Sequence, residues 1–324
     1  MKKTTIIILI VAAVLAASLC GAAIYIAGQR TANSEPLRIF LPEGTTFDAL
    51  CDTLHTNGIL QEGIKTQIFN FQFSILNSKV RPGSYVIESH MRELDLIRKL
   101  RNGQQDPLRL TIGKFRLPEQ LNSYLNTKLM HNDFNVTLDS FHLILPDTYE
   151  FYWTVTPHQF MQRMEKEYNA FWSTRDLNDL NDPNDPNDPN DLKDLIILAS
   201  IVEEETNHGP EKPMIASVYL NRLKRGMPLQ ADPTVKYAVG DFTLRRILNK
   251  HLAVESPFNT YLHTGLPPAP ICLPSKATID AVLKAPQTNY LYFCASEQLD
   301  GTHRFAATLA EHNRNAARYH AAIR

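Results

Sequence analysis

The pattern of apolar and polar positions begins with one long apolar run near the N-terminus. This run extends from Ile6 to Ala27, contains no charged residue, and follows Lys2 and Lys3. A helix of about 20 apolar residues crosses the hydrocarbon core of a bilayer, whereas the apolar core of a signal peptide has about 7–15 residues. The run therefore predicts a retained transmembrane anchor over residues 1–29, and the two lysines predict a cytoplasmic N-terminus.

A strand–helix pattern occurs twice in residues 36–106. Strand-like runs at 38–41 and 84–87 each precede an amphipathic helical pattern. Each helical pattern stops at an Asn-Gly pair, and glycine after a helix accepts the left-handed backbone of a C-cap. The pattern predicts a small α/β subdomain made of two such units.

Residues 107–324 alternate strand-like and helical patterns without a regular βαβ repeat, which predicts a larger α+β domain. A low-complexity insertion at 178–191 interrupts this domain with a repeated Asn-Asp-Pro motif. Repeated proline disfavours regular secondary structure. The Asp residues recur every three positions, but the segment lacks the glycine bend and the terminal glutamate of an EF-hand calcium-binding loop. A solvated insertion that the fold tolerates is therefore the better interpretation.

Composition and charge narrow the class of ligand. The chain has 44% hydrophobic and 21% charged residues, as expected for a folded protein with a packed core. Three of its 33 Lys and Arg residues lie in the first 30 positions, which leaves 30 against 34 Asp and Glu residues. This balance argues against binding to nucleic acid. Cys51, Cys272 and Cys294 have no metal-ligand spacing, and buried free thiols are preferred over a Cys272–Cys294 disulfide.

The segment 192–205 predicts an apolar helix that ends in three consecutive glutamates. At 100° per residue, Glu203 falls about 20° from Leu192 and inside the apolar arc, whereas Glu204 and Glu205 fall at about 120° and 220°. A carboxyl in apolar surroundings has a raised pKa, as a general acid near neutral pH requires. Glu203 is therefore the predicted acid. Glu205 remains the rival, because a helix that ends before it would not impose this phase, and the helix is in any case apolar nearly all round.

A set of motifs beginning in this helix resembles the family of membrane-anchored endolytic lytic transglycosylases of peptidoglycan. Leu-Ala-Ser-Ile-Val-Glu at 198–203 matches the signature segment of the family. Further matching segments follow in family order at 216–223, 226–237, 256–261, 264–268, 290–293 and 303–305. After Pro268, Ala269 and Ser275 stand where the family usually has glycines. Loss of both glycines changes the backbone angles that this loop can adopt, which affects substrate preference more than reaction type.

The resemblance implies a lyase that cleaves the β-1,4 bond between N-acetylmuramic acid and N-acetylglucosamine. One carboxyl, Glu203, would protonate the bond and then help to form a 1,6-anhydro end. The resemblance also implies a LysM-like subdomain, an inner-membrane anchor, a periplasmic catalytic domain, glycan strands as substrate, and cell wall synthases as partners. It implies no cofactor and no metal. Matching polar residues are expected to contact substrate: Gln230, Asp232, Thr234, Tyr237, Asn259, Thr260 and Tyr261.

Other functions remain open on the sequence alone. A non-catalytic, membrane-anchored module that binds peptidoglycan would need only the LysM-like unit. A hydrolytic muramidase would use two carboxylates, with Glu205 or Asp232 as the second. For each polar residue of the matching segments, a structural role in turn capping or core packing is the alternative to substrate contact.

Overall fold

A computed structural model of the chain describes residues 2–61, 63–75, 79–175 and 192–323. The chain forms two compact units. One comprises Met1–Leu110, Lys128–His131 and Glu150–Val155, and the other comprises Thr111–Thr127, Asn132–Tyr149 and Thr156–Arg324. The insertion at 178–191 lies outside the described residues, and the domain boundaries drawn from the sequence stay predictions.

Helix α1, Lys2–Ala27, contains the long apolar run. Its stretch Ile6–Ala27 is long and apolar enough to cross a membrane, and none of it is buried against the rest of the chain. A helix that exposes apolar side chains on every face is suited to lipid rather than to water. The structure thus has a single-pass anchor candidate at its N-terminus, as the sequence predicts.

The first unit continues with two strand–helix units. Strand β1 (Leu37–Leu41) pairs antiparallel with β2 (Gly83–Ile87), and β1 is followed by α2 (Phe47–Thr56), β2 by α4 (Glu93–Asn102). The side chain of Thr46 caps α2 by accepting from the backbone N–H of Ala49. Gly103 ends α4 in the left-handed conformation, with φ of 64°, as the sequence predicts.

A helix that the sequence analysis did not predict, α3 (Ile64–Ile75), completes this unit. Phe69 and Phe73 of α3 are buried and their rings lie 6.3 and 4.4 Å from the ring of Phe47. They close a core that contains Ile39, Leu54, Tyr85, Leu96 and Leu100. The aromatic side chains supply much of the apolar area that a unit of this size needs.

The rest of the chain is a mixture of helices and short strands. Strands β3 (Leu108–Ile112) and β4 (Asp147–Phe151) pair with each other. The helices that accompany them are α5 (Pro118–Lys128), α6 (Leu138–Phe141) and α7 (Pro157–Ser173). Thr156 and Gln159 form a capping box at the start of α7, which satisfies backbone donors that the first turn leaves free.

The second unit is built around helix α8, Leu192–Glu205, whose bounds coincide with the predicted helix. The following elements are a 3₁₀ turn at Gly209–Glu211, α9 (Lys212–Lys224), α10 (Asp232–Val239), α11 (Asn249–Leu252), α12 (Lys276–Leu283), β5 (Tyr292–Ala295), β6 (His303–Ala306) and α13 (Leu309–Ala322). Strands β5 and β6 pair antiparallel, with Phe293 opposite Phe305. The observed fold is therefore of the mixed α+β class, as predicted.

Helix α8 lies inside the core of this unit. Every residue from 195 to 202 is buried, and the helix packs against α9, α10 and α12. The loop after Pro268 also belongs to this core, because Ile271, Cys272 and Leu273 are buried and the N–H of Ile271 donates to Ser200 Oγ. All four cysteines are free thiols, which agrees with the preferred interpretation. Cys51 and Cys272 are buried as expected, whereas Cys294 is only partly buried.

Candidate active site

The three glutamates at the end of α8 have different partners, although they are consecutive in sequence. Each of them is half-buried. Because the helix is enclosed by protein, successive side chains at 100° intervals meet different neighbouring elements. The chemistry of the site follows from what each carboxyl contacts.

Glu203 is bound by three donors from two other elements. Its Oε2 accepts from Lys212 Nζ at 3.0 Å, from Ser275 Oγ at 2.9 Å, and from the hydroxyl of Thr278. Burial by itself would raise the pKa of this carboxyl, but the hydrogen bonds from Thr278 and Lys212 and the charge of Lys212 outweigh burial and lower the pKa. Glu203 is thus an ionised carboxylate that joins α8 to α9 and α12.

Glu204 is bound by two cations. Lys114 Nζ lies 3.0 Å from one carboxylate oxygen and Arg116 Nη2 lies 2.9 Å from the other. Burial opposes ionisation here too, but the hydrogen bonds from Arg116 and Lys114 lower the pKa below its ordinary value. This ion pair fixes the loop before α5 to the end of α8.

Glu205 differs from both neighbours, because its carboxyl has no bonded cation. Its only direct side-chain partner among the described residues is the hydroxyl of Tyr219, which donates to Oε1 at 2.5 Å. Burial raises the pKa of Glu205 to about 7, the hydrogen bond from Tyr219 opposes this rise, and the nearby charge of Asp232 adds to it. A carboxyl with this pKa carries a proton in a large fraction of molecules at neutral pH and can act as a general acid and as a base.

Glu205 also lines two cavities. The first has a volume of about 350 Å³, and the second has a volume of about 610 Å³. The first is walled by Tyr219, Arg222, Leu229, Gln230, Asp232, Tyr261, Leu291, Tyr292, Phe293, Leu309 and His312. The second is walled by residues 206–208, 295–296, 299–303 and Tyr319. Glu205 lies where both cavities have a wall in common.

Three of the seven predicted substrate residues line the first cavity. Gln230 has a left-handed backbone with φ of 54°, and its N–H donates to the carbonyl of Thr260. Tyr261 donates its hydroxyl to Asp232 Oδ1 at 2.7 Å. The geometry therefore puts an amide, a carboxylate and a phenol on the same wall as Glu205, which is the kind of polar set that contacts sugar hydroxyls.

The other four predicted residues do not line this cavity. Thr234, Asn259 and Thr260 are almost fully buried. The hydroxyls of Thr234 and Thr260 lie 2.8 Å apart, and Asn259 Nδ2 donates to the carbonyls of Leu252 and Val254. Tyr237 packs its ring 4.5 Å from that of Phe258. These side chains shape the loop that carries Gln230 and Tyr261, so their expected contact with substrate has no support in the geometry.

Several cavity residues were not singled out by the sequence analysis. Tyr219 and Arg222 lie on α9, within the segment 216–223 that carried the family resemblance. Tyr292 is on β5, and its ring lies 5.4 Å from that of His312 on α13. The signal that could have identified Tyr219 and Arg222 is their spacing of three, which puts both on one face of a helix.

In the part of the chain that the structure describes, no cluster of three His, Cys, Asp or Glu side chains has the arrangement of a metal site. His303 is held by Glu211, whose two oxygens accept from its backbone N–H and face its Nδ1, each at 2.9 Å. His312 has its pKa lowered by burial and by the charge of Arg222.

Comparison with known proteins gives the family of the chain. The model of the YceG-like family matches residues 39–318. The endolytic murein transglycosylase of Bacillus subtilis is 45% identical over 125 residues, which are 39% of this chain and 34% of that protein. The protein of the same name from Streptococcus pneumoniae R6 is 24% identical over 340 residues, which cover 89% of this chain and 59% of that protein. The chain thus spans well under two thirds of the length of these curated relatives.

A solved structure is similar over most of the chain. The 2.6 Å crystal structure of a putative YceG-like protein from Listeria monocytogenes has a TM-score of 0.51 and 26% sequence identity, and the match covers 87% of this chain and 99% of that one. Since the family model matches nearly the whole chain beyond its N-terminal helix, the chain belongs to the YceG-like family.

Proposed function

We propose that the protein is a membrane-anchored endolytic murein transglycosylase and that Glu205 is its catalytic acid and base. The observation that carries this proposal is the position of Glu205 at the wall common to two cavities, with a carboxyl to which no cation of the described residues is bonded. A polymer bound along both cavities would present an internal bond to this carboxyl. The names of the relatives from Bacillus subtilis and Streptococcus pneumoniae support the substrate class.

The reaction would use one carboxyl twice. Protonated Glu205 donates its proton to the glycosidic oxygen between N-acetylmuramic acid and N-acetylglucosamine, and the C1–O bond breaks. The carboxylate, stabilised by the hydroxyl of Tyr219, then takes the proton of the muramoyl C6 hydroxyl. The C6 oxygen closes on C1, which leaves a 1,6-anhydro end and consumes no water. Polar groups on Gln230, Asp232 and Tyr261 would orient the sugar.

We infer a structural role for Glu203 instead. A carboxylate that accepts from Lys212, Ser275 and Thr278 is stabilised in its ionised form. It lacks the proton that the first step requires, and it does not line either cavity. The catalytic assignment made from the helical wheel therefore stays a prediction that the contacts do not favour.

A hydrolytic muramidase is the second candidate, because Asp232 lines the same cavity as Glu205. Two carboxyls on one sugar site are the arrangement of hydrolytic glycosidases, in which the second carboxylate acts as base or nucleophile. The two reactions differ in their product ends. A hydrolase leaves reducing ends, which are heavier by one water than anhydro ends, so mass spectrometry separates them.

The first unit fits a supporting role. We propose that residues 36–106 form a LysM-like subdomain that contacts glycan, and that α1 anchors the protein in the inner membrane with the catalytic domain in the periplasm. Cell wall synthases, which produce the nascent strand, are the expected partners. If the protein is instead a non-catalytic binding module, the anchored chain binds sacculi and releases no fragments.

The assignment of the acid predicts a difference between two adjacent substitutions. Glu205→Gln should reduce the release of anhydro-ended fragments from purified sacculi by at least about 10²-fold, because glutamine keeps the shape but has no proton to give. Glu203→Gln is the matched control and should stay within about ten-fold of the wild type. Mass spectrometry of the released fragments gives both rates. Near wild-type release by Glu205→Gln together with loss in Glu203→Gln would reverse the assignment.

The variants Glu205→Gln and Glu203→Gln should also differ in how their free energy of unfolding depends on pH. The pKa of Glu205 is raised in the folded state, so its carboxyl costs stability progressively as pH rises from the ordinary glutamate pKa through about 7. Glu205→Gln should match the wild type at pH 4 and exceed it at pH 8 by about 1–3 kcal/mol. Glu203 has a lowered pKa, so Glu203→Gln should destabilise the fold at pH 8, and this loss should shrink on acidification. Urea unfolding of the full chain in detergent at both pH values measures these differences; equal pH dependence in all three proteins contradicts them.

The anchor predicts a single-pass topology. Lys2 and Lys3 precede the apolar run and should stay in the cytoplasm. A phosphatase fused after Arg324 should therefore be active, since that enzyme requires the periplasm, whereas a cytoplasmic fluorescent reporter at the same place should stay dark. The opposite pair of results would invert the topology.

A further inference from the structure

Arg222 is a buried cation for which the described part of the chain supplies no ion-pair partner. Its residue is 8% exposed. Nε donates to the carbonyl of Leu291 at 2.7 Å, and Nη1 donates to the carbonyls of Pro228 and Leu229 at 3.1 and 2.9 Å and to the amide oxygen of Gln230 at 3.3 Å. All of these acceptors are neutral. Buried charges are usually paired with an opposite charge, but no carboxylate among residues 2–61, 63–75, 79–175 and 192–323 is within ion-pair distance of this one.

One nitrogen of the guanidinium remains available. Nη2 makes no hydrogen bond within the part of the chain that the structure describes, whereas Nε and Nη1 are both satisfied. Arg222 belongs to the wall of the first cavity, and its guanidinium carbon lies 5.2 Å from the ring centroid of Tyr292, which is also on that wall. The bonds of Nε and Nη1 hold the planar group in one orientation. The free edge of Arg222 is thus fixed before any ligand arrives.

The other groups of the cavity define what a ligand must offer. Asp232 is a carboxylate and accepts hydrogen bonds, so it matches hydroxyl or amide donors. The stacked rings of Tyr292 and His312 supply a flat apolar surface for a sugar face. The guanidinium of Arg222 supplies only donors, and its charge favours an anion. A sugar that carries both hydroxyls and a carboxylate satisfies all of these groups together.

From these contacts, we infer that Nη2 of Arg222 binds a carboxylate of the glycan substrate in the first cavity. This inference rests on the proposed function and specifies the substrate further. The carboxylate has two possible sources. One is the lactyl group of a muramoyl unit whose stem peptide has been removed, and the other is a carboxylate within a stem peptide.

The direct experiment changes the ligand and leaves the protein intact. Binding is measured by calorimetry with the full chain in detergent micelles, carrying Glu205→Gln so that bound strands are not cut. The probes are soluble glycan strands without peptides, the same strands after conversion of their carboxylates to uncharged amides, and peptide-bearing strands with and without the same conversion. Loss of the charge should weaken binding by about ten-fold or more, because a charge-assisted hydrogen bond becomes a neutral one.

Two further substitutions locate the effect. In the Glu205→Gln background, Arg222→Gln should bind native and amidated strands with equal affinity. Arg225→Gln removes an exposed charge one turn further along the same chain segment and should keep the ten-fold preference for native strands. If Arg222→Gln does not fold, the comparison of native and amidated strands still decides the question, because it uses no change at Arg222.

The pattern across strands identifies the source. A preference seen with peptide-free strands assigns the lactyl carboxylate, and a preference seen only with peptide-bearing strands assigns the stem peptide. Equal binding of native and amidated strands in both sets would overturn the inference. That result is distinct from failure of the proposed function, in which the wild-type protein would bind strands with this preference and yet release no fragments from sacculi.

Discussion

The enclosure of helix α8 on nearly all sides is the constraint from which the site follows. Residues 195–202 are all buried, and the three glutamates that follow them are each only partly exposed to solvent. Each carboxyl must therefore be neutralised by a cation or keep a proton. Glu203 and Glu204 are paired with lysine and arginine side chains. Among the described residues, the hydroxyl of Tyr219 is the only side-chain partner of the Glu205 carboxyl, and of the three glutamates it is Glu205 that lines both cavities.

The two paired glutamates also contribute to the position of the third. Glu203 links α8 to α9 and α12 through Lys212 and Thr278, and Glu204 links it to the loop that carries Lys114 and Arg116. These contacts fix the rotation of the helix about its axis. Arg222 does the same for the cavity wall, since it binds backbone carbonyls on two separate segments. A rigid acid and a rigid wall are what a reaction with one catalytic carboxyl requires.

The local elements were readable from the sequence because their signals are local. The left-handed glycine at Gly103 and the bounds of α8 depend on residues within one or two turns. The choice between Glu203 and Glu205 does not. That choice depends on contacts with distant residues: Lys212, Ser275 and Thr278 bind Glu203, and Tyr219 binds Glu205. A helix that is apolar on every face does not show from its sequence which side of it faces which neighbour, so these contacts could not be inferred. Likewise, Thr234 and Asn259 were expected to contact substrate, but their side chains donate to backbone carbonyls in the loop beside the cavity, which is the structural alternative that the sequence left open.

The proposed reaction requires that Glu205, and not Glu203, holds a proton near neutral pH. The most direct measurement is a pH titration of the side-chain carboxyl carbons by NMR in protein labelled with ¹³C-glutamate. The two resonances are assigned by their disappearance in Glu205→Gln and Glu203→Gln. We expect the Glu205 resonance to titrate with a pKa of about 7 and the Glu203 resonance to titrate with a pKa below the ordinary value for glutamate. If Glu205 instead titrates with the ordinary pKa of glutamate and Glu203 titrates near neutral pH, the assignment of Glu205 as the catalytic acid is contradicted.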